Sequence, residues 1–449
     1  MSSGSSSSRL TAALAALMLC STGALATDQG DPPFIVGVSS HLLHTGDPSG
    51  RADRLIRDAG IVSVRDDAHW AFVERERMQL HIEPHWFGYL RRMERRGLNS
   101  MFILGYGNRF HGGGEKPRTD RVRAAFGRYV EHVVRELRGR IEYYEVWNEW
   151  DMNDADDPAS TRDYAQLVAE SAARIRRHDP NAKILAGAVT TRGIESGFAH
   201  RLIDNGVMQV VDGFSLHPYV HCRRYGRHTP EAWIDWLGEV SASLSREAGR
   251  PVPLYLTEMS WPAHQGRCGI DDRLQAAYLA RSYFLARTLP SIKGMWWYGL
   301  RNDGQDPTER EHNFGLLTYD FEPKPAYHTL SAISTVVANY RYLGREPGET
   351  GDVQLLRFAS DKRQLLVAWS TGEPVEVSVT SDTPTGRLVR LTDTEQPQRG
   401  PNRSESEWNC PGEGAPCTAR VTLTEFPKLI VLSDTGSARD ALAGITEIP

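Results

Sequence analysis

The sequence predicts an α/β chain: a (β/α)8 TIM barrel followed by a small C-terminal β-sandwich domain. Three observations lead there. From about residue 33 short apolar runs alternate with amphipathic stretches. The alternation repeats eight times over about 300 residues, the length and rhythm of a barrel. Beyond Tyr340 the helical period stops, and short alternating strands separated by Gly, Pro, Asp and Ser take over.

The eight strand candidates are Phe34–Leu42, Ile61–Asp66, Ser100–Tyr106, Ile141–Trp147, Ala182–Val189, Val210–Leu216, Val252–Thr257 and Ile292–Tyr298. They are rich in β-branched, aliphatic and aromatic residues, and most end in polar or aromatic ones. Between them, Asp120–Gly139 places Val122, Ala125, Phe126, Tyr129, Val133 and Leu137 on one helical stripe. Thr161–His178, Thr229–Ala248, Asp271–Thr288 and Pro325–Asn339 read the same way, with start signals at Ser160-Thr161 and Thr229-Pro230-Glu231. An open doubly wound sheet would carry a Gly-rich phosphate turn after its first strand, and Gly37-Val38-Ser39-Ser40 is not one. Val353–Phe358, Gln364–Trp369, Val375–Thr380, Gly386–Thr392, Ala419–Leu423 and Lys428–Leu432 then supply the sandwich.

The N-terminus reads as a signal peptide: Arg9, an apolar run from Leu10 to Cys20, and Ala24-Leu25-Ala26 as a cleavage box. The run is too short to span a bilayer. The expected organisation is therefore 1–26 signal peptide, 27–340 barrel, 341–437 sandwich and 438–449 tail. Export to the periplasm or beyond makes disulfides the natural use of the four remaining cysteines. Cys410 with Cys417 is the local pairing and Cys222 with Cys268 the distant one, among three possible pairings. A net charge of −5 gives no pull toward nucleic acid or anionic membrane. No CxxC or HExxH spacing points to a metal, and no cofactor motif is present. Gly112-Gly113-Gly114-Glu115-Lys116 fails the Walker spacing and reads as a loop after the third strand.

In such a barrel, chemistry sits at the C-terminal strand ends. The fourth strand ends in Trp147-Asn148-Glu149-Trp150 and the seventh in Leu256-Thr257-Glu258. The sixth ends in His217-Pro218-Tyr219, the second carries Arg65 and Asp66, and the eighth carries Trp296-Trp297-Tyr298. Two glutamates leaving different strands toward one mouth suit a double displacement at an anomeric carbon, one as proton donor and one as nucleophile. Glu145 lies deeper on the fourth strand and reads as a buried, hydrogen-bonded residue.

These motifs, with Asn313-Phe314-Gly315-Leu316 and Pro323-Lys324-Pro325-Ala326-Tyr327, resemble glycoside hydrolase family 39, over about residues 34–340, and within it the PslG-like exopolysaccharide subgroup. The resemblance implies a retaining β-glycosidase with Glu149 as acid/base and Glu258 as nucleophile. It implies that Asn148 bonds the sugar 2-OH, that Tyr219 bonds Glu258, that His217 shapes the site and that Arg65 keeps Glu258 ionised. A strand-eight tryptophan, Trp297 rather than Trp296, is the expected sugar platform, with Trp150 as a further sugar contact. A Cys222–Cys268 staple would brace two cleft loops rich in His221, Arg223, Arg224, Arg227, His264 and Arg267, a rim suited to an anionic polysaccharide. Endo-action on an exported bacterial polysaccharide is the leading expectation. Exo-action on xylosides or uronides and non-catalytic polysaccharide binding are the alternatives.

Overall fold

The computed structural model describes Met1 and residues 32–47, 50–223, 227–348, 351–382, 391–395, 406–412, 415–433 and 442–447. The expected signal peptide and most of the predicted strand at 386–392 lie outside them. The chain divides into Met1–Pro33 and Phe34–Pro449, and the second unit holds both the barrel and the C-terminal sheets.

Eight parallel strands close into a barrel in sequence order. They are β1 (Ile35–Ser39), β2 (Ser63–His69), β3 (Asn99–Gly105), β4 (Tyr143–Val146), β5 (Lys183–Thr190), β6 (Gly213–His217), β7 (Leu254–Met259) and β8 (Ile292–Tyr298). β1 pairs with both β2 and β8, which completes the ring. Met101, Tyr143, Leu185 and Trp296 fill the barrel interior together with Ile35 and Tyr255. Trp296 fits there because Gly37 has no side chain; a Cβ at that position would overlap the indole.

Helix Pro158–His178 begins earlier than Ser160-Thr161 suggested. Asp157 accepts from the Ala159 amide and Pro158 takes the first turn, where its missing N–H costs nothing. Thr229 caps helix Pro230–Glu247 as expected. Helix Asp272–Ala286 is buried all round from Gln275 onward, because it lies between the barrel and the C-terminal sheets.

Those sheets comprise β9 (Arg341–Glu346), β10 (Val353–Ser360), β11 (Arg363–Ser370), β12 (Val375–Ser381), β13 (Leu391–Asp393), β14 (Cys417–Leu423), β15 (Lys428–Ser433) and β16 (Leu442–Glu447). One sheet runs β13-β15-β11-β10-β9 and the other β14-β12-β16. β16 falls in the stretch expected to be a tail. It pairs antiparallel with β12 instead, since β12 has a free edge opposite β14. The five-stranded sheet packs on the side of the barrel. Phe358 meets Phe284 at 5.6 Å, and the Trp369 indole donates to Glu231 Oε1 at 2.9 Å. Arg281 bonds the same carboxylate, with Nε 2.8 Å from Oε1. Both disulfides form, Cys222–Cys268 and Cys410–Cys417. Among the described residues no helix is long and apolar enough to cross a membrane.

Candidate active site

Period-two alternation along β2 sends Arg65 into the barrel and Asp66 out of it. Asp66 bonds Tyr89 and Ser40. Arg65 is buried and reaches three partners at once. Its Nη1 donates to Glu258 Oε1 at 2.6 Å, its Nε to Glu145 Oε2 at 2.8 Å and its Nη2 to Asn148 Oδ1 at 2.9 Å. Its partners thus come from β4, β7 and the turn after β4, not from its neighbours Asp66 and Asp67. The planar guanidinium fork makes this three-way contact possible. With Oδ1 committed to Arg65, Asn148 keeps its amide N–H groups to donate elsewhere.

Glu145 is fully buried, held by Arg65 and by the Thr257 hydroxyl at 2.8 Å. That hydroxyl hydrogen is spent on Glu145, so Thr257 accepts from His217 Nε2 at 3.1 Å. His217 Nδ1 lies 2.9 Å from Glu149 Oε1. Nε2 is thus a donor, and Nδ1 shares a hydrogen with Glu149. Burial lowers the His217 pKa, but Glu258 and Glu149 outweigh it and the net direction is up. Tyr219 donates to Glu258 Oε2 at 3.1 Å. Burial alone would raise the Glu258 pKa; His217 and Arg65 reverse this and hold it below the usual carboxylate range.

The Glu149 and Glu258 side chains are 17% and 11% exposed, so both remain reachable from the cleft. One oxygen of each, with a His217 nitrogen, lies within 4.8 Å of the others. Three such ligands could in principle hold a metal ion. The Arg65 cation already sits 2.6 Å from Glu258, and both His217 nitrogens have partners, which opposes a dication there.

Two expected sugar contacts are corrected. Trp297 is fully buried on the outer face of β8, and its indole donates to the Phe314 carbonyl at 3.1 Å. Trp296 and Tyr298 share the inward face. Trp296 lies deep, bonded to Ser63, so Tyr298 is the strand-eight ring at the site, beside Tyr219 (6.3 Å) and Phe314 (5.4 Å). Trp150 is also buried. It stacks on Tyr164 at 5.2 Å and its indole donates to Ser160 Oγ. Trp297→Ala is expected to lower the unfolding free energy by about 3–5 kcal/mol, the range for removing a buried aromatic; a denaturant titration measures it.

The basic rim is less charged than its composition implied. Arg223 pairs with Glu195 and lies 4.0 Å from the Trp236 ring centre. Burial, with Arg310 and His264 nearby, pushes His221 down to about 4, leaving it neutral at pH 7. Arg224 lies outside the described residues.

Sequence reading missed the wall formed by His41, Asp67 and Tyr106. Tyr106 donates to Asp67 Oδ1 at 2.8 Å, and His41 Nδ1 is 3.3 Å from Asp67 Oδ2. Burial lowers the His41 pKa, yet bonding to Asp67 carries it up to about 9. The available signal was spacing: Asp67 is two residues beyond Arg65 and shares its face.

No protein-family model matches the chain, and no curated protein does. Solved structures do match. A family 39 glycoside hydrolase from the gut symbiont Bacteroides cellulosilyticus WH2 is 25% identical, with TM-score 0.73, over 89% of this chain and 81% of that one. A monomeric β-xylosidase from Caulobacter crescentus CB15 is 15% identical, with TM-score 0.60, over 90% and 97%. A family 30 endoxylanase from Clostridium papyrosolvens C71 is 11% identical, with TM-score 0.59, over 90% and 97%. These neighbours support a glycosidase on a family 39-like barrel. At 15% and 11% identity the last two show the fold alone.

Proposed function

We propose that the chain is a retaining β-glycoside hydrolase with Glu149 as acid/base and Glu258 as nucleophile. The observation that carries this is the spacing of the two carboxylates, within 4.8 Å oxygen to oxygen. Retaining enzymes hold the pair about 5–5.5 Å apart, whereas inverting ones need about 6.5–9.5 Å to admit a water. Glu258, kept ionised by His217 and Arg65, attacks the anomeric carbon. Glu149 accepts from His217 through Oε1, which leaves Oε2 to carry the proton for the leaving oxygen. After the aglycone departs, Glu149 takes a proton from water and the glycosyl–Glu258 ester is hydrolysed. Asn148 donates to the 2-OH.

For the substrate we propose internal cleavage of an exported bacterial exopolysaccharide, with the chain itself exported. The sandwich supports this: among the described residues its contacts fall on the helices outside the barrel, at Phe284, Glu231, Arg281 and Arg273. The seam cleft of about 820 Å³ between the two contains neither Glu149 nor Glu258. A partly neutralised rim favours an uncharged or weakly charged chain over a strongly anionic one. The test is digestion of bacterial exopolysaccharides and aryl β-glycosides, with products read by mass and by proton NMR. Oligosaccharides from internal cuts, released first as the β-anomer, are expected. An α-anomer appearing first, or no new reducing ends on any substrate, would overturn the reading; monosaccharides alone would replace endo- by exo-action.

A further inference from the structure

The Gly112-Gly113-Gly114-Glu115-Lys116 stretch follows β3, and its Lys116 reaches the turn after β4. Gly112, Gly113 and Gly114 have φ of 62°, 71° and 92°, and a Cβ on Gly107 would overlap the Gly114 carbonyl oxygen. The loop after β3 thus doubles back with backbone against backbone, which only glycine permits. That return carries Lys116 onto the turn after β4. Its Nζ donates to the carbonyl oxygens of Trp150 at 2.7 Å and Met152 at 2.9 Å, and pairs with Asp154. Arg118 adds a second cation on Asp154 at 2.6 Å.

The clamped turn is the one that aims Glu149. Trp147, Glu149 and Asn153 have φ of 64°, 48° and 69°, a left-handed backbone that non-glycine residues keep only where their surroundings hold it. The Met152 amide donates to the Glu149 carbonyl at 3.0 Å, so the clamp is one peptide bond network away from the acid. Glu258 ends a different strand, β7, and is held by Tyr219 and by Arg65, which also reaches Asn148. We propose that Lys116 is a positioning residue for Glu149: it fixes the turn after β4 and so governs protonation of the leaving group, not attack by Glu258. This rests on the assignment of Glu149 as the acid.

The test compares Lys116→Met and Lys116→Arg with the parent on phenyl and 2,4-dinitrophenyl β-glycosides of xylose, glucose and glucuronic acid. Dinitrophenolate leaves without a proton and phenolate does not. Because kcat/KM reports steps up to the first irreversible one, later base catalysis by Glu149 does not enter it. Lys116→Met is expected to lower kcat/KM by about 30-fold or more on the phenyl glycoside, a part of the ~10²–10⁴ that a general acid supplies. On the dinitrophenyl glycoside the change should stay within about 3-fold, and Lys116→Arg should recover part of the loss. Equal loss on both substrates would show a merely structural role and overturn the proposal, as would no loss on either. If the parent turns over none of the six compounds while still cutting a polysaccharide, single sugars are too short for its cleft; if it cuts nothing, the glycosidase reading is what fails. Hydrogen exchange then decides the clamp: lost protection confined to residues 147–157 in Lys116→Met supports it, and unchanged or chain-wide loss overturns it.

Discussion

Glu258→Ala is expected to abolish turnover, and added azide to restore it with inverted anomeric configuration. Removing the nucleophile leaves a space on the α face of the sugar, next to Arg65 and Tyr219, which now bond nothing there. Azide fits that space and attacks from below, so a β-glycoside yields an α-glycosyl azide. Glu149→Ala should behave in the opposite stereochemical sense. There Glu258 still forms the glycosyl-enzyme from an activated substrate, and azide attacks it from the β face to give a β-glycosyl azide. Each single variant should lose on the order of 10⁴-fold in kcat on an unactivated substrate, the scale at which members of a catalytic set fail. The two azide products, separated by proton NMR coupling constants, assign the roles independently of the rate loss. The same configuration from both variants would overturn the assignment. So would a fully active Glu258→Ala enzyme.

Much of this site is readable in the sequence because a barrel converts strand ends into a shared mouth. Once eight strands are placed, Trp147-Asn148-Glu149, His217-Pro218-Tyr219 and Leu256-Thr257-Glu258 must converge, and the structure bonds Arg65 to Glu258 and Asn148, Tyr219 to Glu258 and His217 to Glu149. The eighth strand was less legible. Met295, Trp296 and Trp297 are all fully buried, so alternation of polarity carries no signal about which ring faces the centre. The register is decided from across the ring, by Gly37 making room for Trp296. Trp150 misled for a related reason. Its burial depends on Tyr164 and Ser160, which arrive from the following helix, and no local pattern announces that. Helix Asp272–Ala286 lacks a polar face for the same kind of cause, being covered by the barrel on one side and, on the other, by a sheet that begins only at Arg341.

Arg65→Met is expected to cost about 3–5 kcal/mol of stability at neutral pH and to move the acid limb of activity to higher pH. The first effect comes from breaking a buried ion pair on one side only. Glu145, fully buried, and Glu258, nearly so, would both lose their guanidinium partner. The second comes from what holds Glu258 down. In the parent its pKa lies below the ordinary 4.5 although burial pushes it up, because His217 and Arg65 pull harder. A depressed folded pKa contributes stability that is present above the unfolded value and lost as pH falls through the folded one. Without Arg65 the burial effect gains on His217, and the Glu258 pKa rises. The nucleophile is then protonated over part of the range where the parent works, so kcat/KM falls off earlier on acidification. The stability deficit should also shrink as pH falls, because a protonated Glu258 no longer carries an uncompensated charge. Arg65→Lys should shift the limb less, since an ammonium keeps the charge but cannot span Glu145, Asn148 and Glu258 together. Parallel pH profiles of kcat/KM and of the denaturation midpoint check both limbs of the argument. An unmoved acid limb in Arg65→Met would mean that His217 alone keeps Glu258 ionised.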